Sequence, residues 1–69
     1  MASIRPYTPF GIKVRTRLLE RGQSVSELAR EVEIRTGLYC DGQYLYKIFT
    51  GERNPERIID AIDEILELV

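Results

Sequence analysis

The apolar positions of this chain fall into four groups with helical spacing, each bounded by residues that start or stop helices. Phe10, Val14 and Leu18 recur every four residues with Leu19 beside them, so one stripe should face a core while Lys13, Arg15, Arg17 and Arg21 stay in water. Thr8 is suited to cap this helix and Pro9 to open it, because the N–H that proline lacks has no partner in a first turn. Gly22 is its stop. Ser24-Val25-Ser26-Glu27 then has the form of a capping box, in which the serine oxygen accepts from the third backbone N–H and the glutamate reaches back to the cap. Leu28, Ala29 and Val32 make the buried side of this second helix, Arg30, Glu31 and Glu33 its wet side, and Gly37 its end.

The pattern loosens from Ile34 to Cys40 and resumes after Asp41, a capping residue. Leu45, Ile48 and Phe49 lie on one side of the third segment and Gln43, Tyr46, Lys47 and Thr50 on the other, with Gly51 closing it. Asn54-Pro55 repeats the grammar of cap then proline and opens a fourth helix whose Ile58, Ile59, Ile62, Ile65 and Leu66 form a broad apolar side. These segments predict an all-α fold, a compact four-helix domain with helices at about 9–21, 25–36, 42–50 and 55–67. Pro6 and the lack of apolar period before it predict an extended arm over residues 1–7, leaving 8–69 as the folded unit.

Two short amphipathic helices in the order capping box, connection, capped polar-faced helix have the sequence form of a helix-turn-helix, in which the second helix offers polar side chains to a DNA groove. Composition bears on the alternatives. At 69 residues the chain can enclose one small core, and a core of this size supplies only about 3–5 kcal/mol, so dimerisation or ligand binding is expected to add stability. With no histidine, the commonest general base and metal ligand are both missing, and the single thiol, Cys40, has no imidazole to activate it. Asp60, Asp63, Glu64 and Glu67 are spread over the polar side of the last helix rather than paired for acid–base work. The reading is therefore a protein that is not an enzyme, with no metal, cofactor or small-molecule substrate. Nothing apolar is long enough for a leader or membrane span, and one unpaired cysteine agrees with a reducing, cytoplasmic location. A small buried thiol is the expected state of Cys40.

Phe10-Gly11 at the start of helix 1, Gly22 through Ala29 across the capping box, and Gly51-Glu52-Arg53-Asn54-Pro55 after helix 3 together resemble the Cro/phage-repressor (Xre-type) family of helix-turn-helix transcriptional regulators. The likeness spans roughly Phe10 to Ile65 and departs at Glu33 to Cys40, which holds several residues more than the family's usual turn. It implies a domain that binds operator DNA, usually as a dimer. Aligned from Gly51, it implies base contacts from Gly42, Gln43, Tyr44 and Lys47, and backbone contacts from Ser24, Val25, Tyr46, Thr50, Arg53 and Asn54. The chemistry of the residues agrees. Glutamine makes a bidentate pair with adenine, and lysine donates to the O6 and N7 acceptors of guanine. Tyr39, Tyr44 and Tyr46 cluster near helix 3 and suit either an interface or half-buried packing. Outside that context, Gln43 and Lys47 would be read as an ordinary solvated helix face. Arg5, on the arm, is a cation that can reach a phosphate or minor groove.

The formal net charge of −1 lacks the basic footprint of a nucleic-acid domain. Its distribution is uneven, with a balance of +3 over residues 1–55 and −4 over residues 56–69. An acidic last helix turned away from DNA, and a homodimer reading a palindrome with heads roughly 34–36 Å apart, reconcile the two. Ile65, Leu68 and Val69 offer apolar surface for such pairing. The function expected is sequence-specific transcriptional regulation of prokaryotic, phage or mobile-element type, by repression in the simplest case and activation as an alternative. The second candidate is a protein-binding module on the same fold, an antirepressor or adaptor that masks another regulator.

Overall fold

The computed structural model describes residues 6–68. They form α1 (Pro9–Arg21), α2 (Val25–Thr36), α3 (Gly42–Phe49) and α4 (Glu56–Leu66), so the all-α four-helix architecture stands. The caps read from sequence account for three of the four helix starts. Thr8 Oγ1 accepts from the Gly11 N–H at 3.1 Å. Ser24 and Glu27 make both bonds of the capping box, at 3.1 and 2.8 Å. Asp41 Oδ1 accepts from the Tyr44 N–H at 2.8 Å. At the fourth start the expectation fails: α4 begins at Glu56 behind Pro55, and Asn54 turns back to donate to the Gly51 carbonyl rather than capping the helix.

Gly22 and Gly51 each end a helix in the left-handed region, at φ 65° and 82°. In both turns the glycine and the residue after it donate back to the last helical carbonyls, Leu19 and Leu18 in one case and Ile48 and Lys47 in the other.

The core joins Val14 and Leu18 of α1, Val25, Leu28, Ala29 and Val32 of α2, Leu45, Ile48 and Phe49 of α3, and Ile58, Ile62, Ile65 and Leu66 of α4. α4 packs chiefly on α2, and α3 lies against both α1 and α2. Leu19 was expected beside the α1 stripe but is 76% exposed. At 100° per residue it points about 100° away from Leu18 and about 140° from Val14, outside the seam that those two define. Gly11 takes part instead, buried directly against α3, where an added Cβ would lie 2.4 Å from the Phe49 carbonyl oxygen. That carbonyl accepts from both the N–H and the hydroxyl of Thr8, each at 2.9 Å, so the start of α1 is fastened to the end of α3. Tyr7, assigned to the arm, is half-buried with its ring 5.8 Å from that of Phe49.

Arg17 and Arg21 are not merely solvated. Arg17 Nε donates to the Leu66 carbonyl and Arg21 Nη1 to the Ile65 carbonyl, each at 2.8 Å. The Leu68 and Glu67 N–H groups reach Asp63 and Glu64, so all four terminal carbonyls of α4 find donors. Positive charge at a helix C-terminus also complements the dipole. Ile65 is buried and Leu68 packs on the core, so neither forms the spare apolar surface anticipated for pairing, while Val69 and Arg5 lie outside the described residues.

Candidate nucleic-acid interface

α3 is short, and its register is set by the side chain at its cap. The Asp41 carboxylate accepts from the Tyr39 hydroxyl at 2.6 Å as well as from the Tyr44 N–H. The Tyr39 bond, then the backbone bond, hold this carboxyl below its ordinary range, and the same contact raises the Tyr39 hydroxyl. Thr36 steadies the approach, accepting from the Leu38 N–H at 3.1 Å. The longer connection is thus tied to the start of α3 by its own side chains.

With Leu45, Ile48 and Phe49 buried, the opposite side of α3 must face outward, and it carries Gln43, Tyr46 and Lys47, all exposed. Positions 43, 46, 47 and 50 follow one another on one helix face. Thr50 is half-buried and donates to the Lys47 carbonyl at 3.2 Å. Tyr44 stands apart from this row, packed against the core edge. Gly42 opens the helix beside α2, with Val25 Cγ1 3.9 Å from where its Cβ would be.

The residues expected to meet a backbone are more scattered. Ser24 is exposed but occupied as a cap, and the Glu27 carboxylate already sits at that helix end, where a phosphate would meet like charge. Val25 is buried by its side chain, leaving its main chain alone for any contact. Arg53 and Asn54 are exposed in the turn after α3.

Sequence reasoning missed Arg15. Its guanidinium lies over the Tyr46 ring, 5.9 Å from the centroid, and brings α1 to the edge of the α3 row. The i to i+4 step from Gly11 to Arg15 is visible in the sequence, but its meaning depends on α1 crossing α3 at Gly11, which is a tertiary fact.

Cys40 is 2% exposed, behind the capped turn, and burial pushes its thiol up to about 11. Almost no thiolate exists at neutral pH, so a thiol reagent is expected to react at least tenfold more slowly with the folded protein than with urea-unfolded chain. Equal rates would mean that the 37–41 turn opens freely.

No protein-family model, characterised relative or solved structure matches this chain. The site must be interpreted from its own chemistry. Among the described residues, no helix is long and apolar enough to cross a membrane.

Proposed function

We propose that this chain is a sequence-specific DNA-binding regulator that reads the major groove with the exposed side of α3. One observation carries the reading: an eight-residue helix with one wholly apolar, buried side presents an amide, a phenol and an ammonium on its free side. Gln43 and Lys47 supply the two kinds of donor that discriminate adenine and guanine edges, and a capped helix precedes them in the order that a helix-turn-helix would require. The likeness to the Cro/phage-repressor family agrees with this, and so does the partition of charge. Arg17, Arg21 and Arg35 are engaged by α4 carbonyls or Glu64 rather than by α3. Double-stranded operator DNA is the partner, bound by a homodimer, in a cytoplasmic setting with no catalytic step.

Selection of bound duplexes from a random pool, followed by titration of the enriched sequence, tests the assignment. Lys47→Ala is expected to weaken the enriched duplex by about 1–3 kcal/mol without moving the melting temperature, and Gln43→Ala to relax preference at one base pair. If both variants bind and discriminate as the parent does, α3 is not the reader.

A second reading has its own support. Ile34 is 76% and Tyr39 72% exposed around the long α2–α3 connection, with Leu38 beside them, an apolar surface suited to a protein partner. An antirepressor or adaptor would use it, and such a protein would enrich no duplex at any salt concentration.

A further inference from the structure

We propose that Arg15 of α1 is a phosphate-binding residue of this same surface, held in position by the ring of Tyr46. The proposal rests on the DNA reading above and names the chemical group taken at this corner: one phosphodiester of the duplex backbone. Four features lead to it. Gly11 lets the α1 backbone approach Phe49 more closely than any side chain would allow, and Arg15 follows one helical turn later on the same side. Phe49 is fully buried, and the Tyr46 ring meets it edge-on with centroids 5.9 Å apart and planes at 79°, which fixes that ring against the core. The Arg15 guanidinium rests over the ring. A ring face attracts a cation without neutralising it, so the arginine keeps its full charge and its fork of donors.

The fourth feature is what Arg15 lacks. Among the described residues no carboxylate pairs with Arg15, whereas Arg17 meets Glu20 and Arg35 meets Glu64. Lys47, the neighbour of Tyr46 in sequence, is exposed and likewise unpaired among the described residues. A planar donor fork resting on the Tyr46 ring matches a phosphate, and its placement on a second helix would set the angle at which α3 enters the groove. Tyr46 is then a positioning residue acting through its ring, and its hydroxyl is not the contact.

The test is fluorescence anisotropy over a salt series with two labelled duplexes, one enriched from a random pool and one unrelated. Arg15→Ala should weaken both by a similar factor and reduce the slope of log K against log salt by about one per bound site. Arg15→Lys should keep the slope and lose part of the affinity. Tyr46→Phe should bind like the parent, and Tyr46→Leu should approach Arg15→Ala. An unchanged slope and affinity in Arg15→Ala, with the parent binding normally, overturns the proposal while leaving the DNA reading intact. Equal loss in Tyr46→Phe and Tyr46→Leu overturns the positioning role. A parent protein that binds neither duplex at low salt removes the DNA reading and this contact together.

Discussion

Gly11→Ala is expected to destabilise the domain by at least about 2 kcal/mol, although alanine is the better helix former. Two effects of opposite sign compete at this position. In an exposed helix the substitution would gain up to about 1 kcal/mol of propensity. Here the new methyl would sit 2.4 Å from the Phe49 carbonyl oxygen and 2.9 Å from its Cα, and both of those atoms are backbone. No rotamer change relieves such a clash; α1 and α3 must separate. Separation also strains the two bonds from Thr8 to the same carbonyl. Against a core worth only about 3–5 kcal/mol, a loss of about 2 kcal/mol would leave roughly 1–3 kcal/mol, an unfolded fraction of up to about 15% at room temperature. Urea denaturation followed by circular dichroism reads the sign directly. A midpoint at or above that of the parent would show that α1 and α3 do not touch at Gly11, and would remove the geometric basis for Arg15 meeting Tyr46.

What the sequence made legible, and what it did not, divides along a physical line. Local chemistry was readable. Thr8, Ser24 and Asp41 cap their helices, and Gly22, Gly37 and Gly51 adopt positive φ where helices stop, because these roles depend on a few neighbouring residues. The apolar stripes of α3 and α4 were readable for the same reason. Relations between helices were not. In α1 the large Leu19 is exposed while Gly11 is buried, because contact with α3 at Gly11 demands close approach rather than apolar volume. Arg17 and Arg21 looked like solvent-facing cations until α4 delivered its last carbonyls to them. Asn54 failed as a cap because Pro55 takes that position and the asparagine side chain bonds back to Gly51. In the candidate site, the polar row of α3 followed from periodicity, while the separation of Tyr44 from Tyr46 followed from packing.

The charge pattern gains meaning from the same contacts. Total charge counted against a nucleic-acid partner, but the donors of Arg17 and Arg21 are occupied by the end of α4, so they contribute charge without offering free hydrogen bonds there. Lys47 is exposed on α3 and Arg15 reaches Tyr46 of that row from the face of α1 opposite Arg17 and Arg21, which bond the end of α4. On the proposed DNA reading, attraction for the duplex should therefore be weak at long range and dependent on docking, which favours discrimination between sequences over general affinity.

Ile62→Ala and Leu45→Ala are each expected to cost about 2–5 kcal/mol, enough to abolish the cooperative melt of so small a domain. Both side chains are wholly buried, one in the middle of α4 and the other in α3, so truncation of either leaves a void in the core. Leu19→Ala provides the contrast, since an exposed leucine should change stability by no more than about 0.5 kcal/mol. Ile62→Val supplies the graded step, at about 0.5–1.5 kcal/mol. Thermal melts of the four variants rank the assignment of buried faces, and a cooperative transition near the parental temperature in Ile62→Ala would show that α4 does not close the core. The ranking also reaches function. A ligand that binds only the folded state restores about 2.7 kcal/mol at a hundredfold excess over its Kd. On the proposed DNA reading, duplex carrying the enriched sequence should therefore raise the stability of Ile62→Ala, whose α3 polar row is unchanged, and raise it less once Lys47→Ala is added.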